Sequence, residues 1–312
     1  MKILVAYDGS QCSESALDDL ARAGLHASGE AMVVTVAEVW LPPPETDGAR
    51  DETNTEAFIE DVVRKHRAKG ERWLAAAEMM ANHARARVKN MLPGWNVIAK
   101  ATYGSPAWEV LAAAKEFEAD LVIVGSHGHS AIGRTILGSV SQKILTEAEC
   151  SVRVARGRIE VDPAPARLVI GFDGSAGANA AVEAVANRNW PPNTEAHLIA
   201  ATDPVVPTAI GRFIPPVAEW AEEELKAEYE WIANLAKTAA RKLSKCGIKV
   251  TTRIIEGNPN HVLARESEDW HADCIFVGAN AFGSRLERFL LGSTSAAVAA
   301  RAHCSVEVIR RK

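Results

Sequence analysis

The chain has 312 residues, of which 47% are hydrophobic and 24% charged, a composition typical of a globular protein with two domains of ordinary size. Its formal net charge of −5 leaves no basic excess for non-specific binding to nucleic acid. The five cysteines form no CxxC pair, which favours buried thiols in a reducing cytoplasm over a disulfide framework or a zinc site. The sequence starts without signal-peptide features, and no apolar run approaches the ~18 residues of a membrane span, so we expect a cytoplasmic protein without a membrane partner.

The first half of the chain alternates apolar strand patterns with helical patterns. Strands are predicted at Lys2–Tyr7, Ala31–Val39, Trp95–Tyr103, Leu121–Val124 and Ser151–Ala155. Helices are predicted at Ser13–Ala27, Thr55–Val88 and Trp108–Glu118, and from Gly138-Ser139 to about Glu147. This alternation predicts an α/β domain with a parallel sheet that helices cover on both faces.

The segment between the fourth strand and its helix resembles a phosphate-binding loop. Gly125 ends the strand, Gly128 follows three residues later, and Gly138-Ser139 opens the helix. Glycines let the backbone approach a ligand, loop N–H groups can point inward, and a helix N-terminus adds partial positive charge. The sequence therefore predicts a site for a polyphosphate here.

A carboxylate follows the first strand, in the sequence Asp8-Gly9-Ser10. In a doubly wound sheet the ends of the first and fourth strands flank one crevice, which would place Asp8 opposite Gly125. Asp-Gly-Ser is also good turn and helix-capping chemistry, so a purely structural role remains an alternative.

The whole order of elements then returns in the second half. Cys304 follows Cys150 by 154 residues, as Gly292 follows Gly138. The repeated segments are Arg167–Phe172 with its Asp173-Gly174-Ser175, Ala196–Ala201, Glu219–Leu243, Val250–Glu256, Cys274–Val277 with Gly278, and Leu291–Ser295. A period near half the chain indicates a duplicated domain. We predict a first domain at 1–156, a linker at 157–166 and a second domain at 167–312.

The pattern Gly125-x2-Gly128-x9-Gly138-Ser139, with Asp8 after the first strand, resembles the universal stress protein family, and the match to a tandem member covers nearly all of the chain. The resemblance implies two tandem doubly wound parallel five-stranded sheets of a Rossmann-like, adenine nucleotide alpha hydrolase-like α/β fold. It also implies that terminal strands such as Ser151–Ala155 pair between the domains and form an internal pseudo-dimer.

The resemblance further implies that ATP binds, and Mg²⁺ could join it through phosphate oxygens and water. The residues carried over to this site are Asp8, Ala37, Gly125, His127, Gly128, Gly138, Ser139, Val140 and Ser141 in the first domain, and Asp173, Ala201, Gly278, Gly292, Ser293, Thr294 and Ser295 in the second. The second domain departs from the pattern, because Ala281 replaces the glycine expected three residues after Gly278 and the loop is one residue longer. Nucleotide binding by the second domain is therefore open.

Catalysis has little support in the sequence. The GxxxxGK[ST] loop, a GxSxG elbow and HExxH are all missing, and no residue is assigned as catalytic or as a metal ligand. Three functions fit: a nucleotide-dependent sensor or regulator in the stress response, a nucleotide-independent dimerisation or interaction scaffold, and a slow ATPase. Autophosphorylation at Ser139 or Ser141 is an alternative to slow ATP hydrolysis. The expected partners are an adenine nucleotide, an unidentified protein and a second copy of the chain.

Overall fold

The computed structural model describes residues 1–39, 54–127, 137–156, 165–202, 215–279 and 291–311, with backbone alone for 54–62 and 215–225. In these residues ten strands alternate with eight α-helices, in the predicted order. The strands are β1 (Lys2–Ala6), β2 (Gly29–Ala37), β3 (Trp95–Tyr103), β4 (Leu121–Gly125), β5 (Ser151–Ala155), β6 (Arg167–Gly171), β7 (Glu195–Thr202), β8 (Lys249–Glu256), β9 (Cys274–Gly278) and β10 (Ser305–Ile309). The helices are α1 (Gln11–Asp19), α2 (Asn54–Met91), α3 (Pro106–Glu116), α4 (Ser139–Glu147), α5 (Ala176–Ala186), α6 (Pro215–Lys245), α7 (Pro259–Asp269) and α8 (Ser293–Arg301).

The ten strands form one continuous sheet, in the order β3-β2-β1-β4-β5-β10-β9-β6-β7-β8. Every pairing within a half is parallel, and β5 pairs with β10 in antiparallel register. The predicted α/β fold with two five-stranded parallel sheets is confirmed, and the terminal strands join the two sheets edge to edge. The predicted pairing of Ser151–Ala155 across the halves is therefore observed.

Helices cover both faces of this sheet because its central strands are apolar on both sides. In the first half, Ile3 and Val5 of β1 face α1 and α2, while Leu4 faces α3 and α4. The core on the α3/α4 side continues without a break into the second half, where it includes residues of α7 and α8. On the opposite side the described residues form two separate clusters, one per half. The internal pseudo-dimer is thus held by a shared core on one face as well as by the strand pairing.

The first helix is shorter than predicted. α1 ends at Asp19, and one 3₁₀ turn, Leu20–Arg22, follows it. Gly24 then adopts a φ of +62°, which an α-helix cannot contain. None of the described helices is both long enough and apolar enough to cross a bilayer.

Candidate functional site

The predicted site lies where the strand order reverses in each half. β1 pairs on one side with β2 and on the other with β4, so the chain leaves the carboxyl ends of β1 and β4 on opposite sides of one crevice. In the second half β6 has the same position between β7 and β9. The structure thereby brings the Asp-Gly-Ser turn of each half to the crevice that begins at Gly125 or Gly278.

The Asp-Gly-Ser turns have the same hydrogen bonds in both halves. In the first, the amide of Ser10 donates to Oδ1 of Asp8 at 3.0 Å, and Oγ of Ser10 accepts from the amide of Ser13 at 3.2 Å. Gly9 between them has a φ of +75°, which explains the glycine. The second half repeats this geometry with Ser175 N to Asp173 Oδ1 at 2.9 Å, Ala178 N to Ser175 Oγ at 3.1 Å, and Gly174 at φ +77°. Serine therefore caps the helix, and the exposed aspartate stabilises the turn at the edge of the crevice.

The glycines that end β4 and β9 have a packing role. A Cβ on Gly125 would lie 2.8 Å from the carbonyl carbon and oxygen of Cys12 in α1. A Cβ on Gly278 would lie 2.3 Å from the backbone of Gly177 in α5. Such distances are sterically excluded, so helix packing alone requires glycine at both positions, whether or not a ligand approaches them.

The helices α4 and α8 present their N-termini to the crevices. Gly138 and Gly292 are the N-caps, with extended backbones, and neither helix has a side-chain hydrogen bond to its cap. The amide of Gly138 donates to the carbonyl of Ser126 at 2.9 Å, and the amide of Gly292 to that of Ala279 at 2.7 Å. Ser139 and Ser293 are the exposed first residues of the two helices. These ends retain the amides and the partial positive charge that bind anions.

The serine two residues further on makes a hydrogen bond to the end of the preceding strand. Oγ of Ser141 donates to the carbonyl of Gly125 at 2.7 Å, and Oγ of Ser295 donates to the carbonyl of Gly278 at 2.6 Å. Both serines are buried. Their hydroxyls therefore hold the helix against the end of the strand. Val140 and Thr294, which precede them, are half-buried.

The second half contains an open cavity of about 430 Å³ at this position. All seven residues predicted for the site in this half line it: Asp173, Ala201, Gly278, Gly292, Ser293, Thr294 and Ser295. Its apolar lining residues, which were not predicted from the sequence, are Phe172, Ile199, Pro259, Leu263 and Val277. The signal that could have found part of this wall is Gly257-Asn258-Pro259, which repeats Gly104-Ser105-Pro106 and opens α7 beside the crevice.

Hydrogen bonds at the ends of β2 and β7 show which residue of the second half corresponds to Ala37. The amide of Gly104 donates to the carbonyl of Ala37 at 3.0 Å, and the amide of Gly257 donates to the carbonyl of Thr202 at 2.8 Å. Thr202, rather than Ala201, is therefore the counterpart of Ala37. Ala201 nevertheless lines the cavity.

In the first half, His127 follows Ser126 at the mouth of the crevice. Its Nδ1 lies 3.1 Å from Oγ of Ser126. Burial, together with the positive charge of Arg156, lowers the pKa of His127 below its usual value of about 6.5. This shift favours the neutral imidazole, which can donate or accept a hydrogen bond. The predicted Gly128, and Ala281 in the second half, lie outside the described residues.

Both halves of the chain match the same family of known proteins. The sequence profile of the Universal stress protein family matches residues 1–156 and 166–310. The chain belongs to the universal stress protein family. This membership places it in a class of stress-response proteins, and the two matches show a tandem arrangement of the family's domain.

Some relatives have about half the length of this chain, and others have nearly the same length. A universal stress protein of Thermus aquaticus is 33% identical over 154 residues, which cover 49% of this chain and 97% of that protein. A universal stress protein of Mycobacterium tuberculosis (strain H37Rv) is 25% identical over 317 residues, which cover 99% of this chain and 97% of that protein. The crystal structure of a universal stress protein from Archaeoglobus fulgidus covers 99% of this chain and 96% of its own, with a TM-score of 0.57 and 21% identity, and shows the same fold.

Proposed function

We propose that this universal stress protein binds ATP and acts as a nucleotide-dependent sensor or regulator in the stress response. The observation that carries the proposal is the cavity of about 430 Å³ in the second half, where every residue assigned to the site in that half meets. Small-molecule sites have volumes of roughly 300–1,000 Å³, so the cavity is of the right size.

The chemistry of the lining fits an adenine nucleotide from one end to the other. Apolar side chains, including Ile199, Leu263 and Val277, suit the face of an adenine ring. The Asp173 carboxylate can accept hydrogen bonds from ribose hydroxyls. The N-terminus of α8, with Ser293 and Thr294, suits the phosphates. A bound Mg²⁺ would be held mainly by phosphate oxygens and water.

The first half supports a second site, because it repeats the same groups. Asp8 has the turn of Asp173, and Gly138 and Ser139 open α4 as Gly292 and Ser293 open α8. Two sites in one chain would allow the occupancy of each half to change a surface that a protein partner contacts.

The lining of the cavity favours binding over turnover. Among the described residues that line it, Asp173 is the one ionisable side chain. Its Oδ1 already accepts the amide of Ser175, and the described lining residues include no histidine or lysine that could act as a proton donor or base. Among these described residues, a bound nucleotide would meet groups that orient it rather than a general base that activates water.

A proline at the first helical position tests this directly. Ser139→Pro and Ser293→Pro each remove one backbone N–H from the proposed phosphate site, and proline is favoured at this position of a helix, as Pro106 and Pro259 show. The preceding Gly138 and Gly292, at ψ of 152° and 148°, already have the backbone that proline requires. Losing one charge-assisted hydrogen bond should weaken binding by about 10- to 100-fold.

Calorimetry with ATP, ADP and AMP, and native mass spectrometry of the full chain, give the affinity and the number of nucleotides bound. Ser139→Ala and Ser293→Ala are the matched controls, because they remove the hydroxyl and keep the amide. We expect each proline variant to weaken binding at its own half and each alanine variant to have a smaller effect. If the unaltered chain binds none of these nucleotides with a dissociation constant below the millimolar range, the proposal is refuted and the nucleotide-independent scaffold is favoured.

A further inference from the structure

Two oppositely charged residues occupy the same position in the two halves. Arg153 lies in β5 and Glu307 in β10, 154 residues apart, which is the repeat spacing of these strands. In the antiparallel pairing of β5 with β10, Arg153 is directly opposite Glu307. A residue that faces its own repeat lies on the pseudo-twofold axis that relates the halves. We call the β5–β10 pairing between the halves the seam. It has a cation on one side of its axis and an anion on the other.

Both side chains are completely buried, with 0% exposure. Nη1 of Arg153 donates to Oε2 of Glu307 at 3.1 Å. On its other side Arg153 donates through Nε to Asp19, and Glu307 accepts from Nη1 of Arg188 at 2.8 Å. The four charges alternate in sign along the row Arg188, Glu307, Arg153, Asp19, away from water.

The two flanking charges belong to different halves and have no counterpart in the other half. Asp19 is in α1 of the first half, and the position 165 residues later, the spacing of the two Asp-Gly-Ser turns, is Ala184. Arg188 follows α5 of the second half, and the position 165 residues earlier is Ala23, whose carbonyl accepts from Arg188 at 2.9 Å. Each axial charge thus has one opposite charge from its own half beside it, and the two axial charges that meet across the strand pairing have opposite signs.

We propose that this row of charges makes the seam selective: the β5 edge of the first half accepts the β10 edge of a second half and rejects the β5 edge of another first half. A twofold pairing of like halves would place Arg153 against Arg153, or Glu307 against Glu307, at a position where both side chains are buried. Burying like charges together is strongly unfavourable, and specificity often arises from such a penalty on the wrong partner. The partner that fits β5 is a domain of this fold with a carboxylate on the axis, supplied by the same chain or by a second copy.

Net stabilisation alone does not account for the arrangement. A buried ion pair often contributes no more stability than well-packed apolar side chains would, because desolvation offsets the attraction. Removing one partner, by contrast, is costly, and reversing it is costlier still. The selective role adds a prediction that a merely stabilising role does not make: two reversal variants that open on their own should associate with each other.

Charge reversal in the full chain tests the selectivity. Arg153→Glu gives a chain with an acidic residue at the axial position of both halves, and Glu307→Arg gives a chain with a basic residue at both positions. We expect each variant alone to be monomeric, with backbone amides of β5 and β10 that exchange with deuterium at least about 100-fold faster than in the unaltered chain. In a 1:1 mixture the unaltered Arg153 edge of one variant meets the unaltered Glu307 edge of the other. Light scattering after size-exclusion chromatography should then show a particle of twice the chain mass.

Arg265→Glu is the matched control, since it makes the same charge change at a side chain that is 80% exposed, and it should leave both mass and exchange unchanged. Circular dichroism checks that the variants fold. If the reversals do not fold, the neutral variants Arg153→Met and Glu307→Gln decide: a penalty on like charges predicts that these neutral variants still fold. The proposal is overturned if either folded reversal variant keeps its seam closed, if the folded variants do not associate on mixing, or if neutral and reversed variants are equally destabilised.

Discussion

The buried serines of α4 and α8 give a prediction that separates a structural role from a ligand-binding role. Ser141→Ala removes the hydroxyl that donates to the carbonyl of Gly125 at 2.7 Å, at a position that is only 6% exposed. A buried acceptor that loses its donor costs about 1–3 kcal/mol. For a domain of this size each kcal/mol corresponds to about 2–4 °C in Tm. We expect Ser141→Ala to lower the Tm by several degrees, and Ser295→Ala to do the same through Gly278.

Differential scanning calorimetry and urea unfolding of the full chain measure this effect, and nucleotide titration of the same samples measures binding. The matched control is Ser139→Ala, two residues earlier in α4 and exposed, which should change stability by less than about 0.5 kcal/mol. The reasoning is refuted if Ser141→Ala is as stable as the unaltered chain and loses nucleotide binding outright, because the hydroxyl would then act on the ligand.

Three further predictions concern other contacts. Gly278→Ala should lower the free energy of unfolding by about 1–3 kcal/mol in urea, because its Cβ would lie 2.3 Å from the backbone of α5; an unchanged midpoint would contradict this packing. Arg310→Met should cost about 1.5–3 kcal/mol and increase deuterium exchange in α4, whose C-terminal carbonyls Arg310 binds from the other half; exchange confined to β10 would contradict it. Burial, aided by the positive charge of Arg253, lowers the pKa of His197, so the unfolded chain binds more protons below pH of about 6.5 and stability should fall on acidification below that pH. His197→Gln should flatten this dependence in unfolding experiments between about pH 7 and 5, and an identical pH profile would refute the assignment.

The fold could be predicted well because apolar strands and glycine boundaries are local signals. Trp95–Tyr103 and Ser151–Ala155 are strands with the predicted bounds, since each is a β-rich run between clear breaks. The first helix was predicted too long because apolar spacing continues through Leu20 and Leu25, beyond its true end. The periodicity could not show that Gly24 adopts a positive φ there.

The candidate site was predictable to a smaller extent. The Asp-Gly-Ser turns and the Gly-Ser helix starts meet at the crevice because strand order fixes where their strands end. Sequence spacing placed Ser141 beside Ser139, yet the first is buried against β4 and the second is exposed, since the rotation of a helix relative to a strand depends on packing. The apolar wall from α7 was missed for the same reason, because its Leu263 resembles any core residue of an amphipathic helix.

The two halves have different residues at the axial position, where a residue lies opposite its own repeat, and the same residues where the backbone requires one conformation. The Asp-Gly-Ser turn has the same sequence in both halves. Each copy needs a glycine at φ near +75° and an aspartate whose side chain accepts a hydrogen bond from the amide two residues later. On the axis, a single-domain dimer would have to pair one residue with itself, so a lone charge there would face its like. Duplication within one chain removes that constraint, and Arg153 and Glu307 have opposite signs. The fusion of the halves and the charges on the axis therefore act in the same direction: the linked chain keeps unlike halves together, and the buried row rejects like ones.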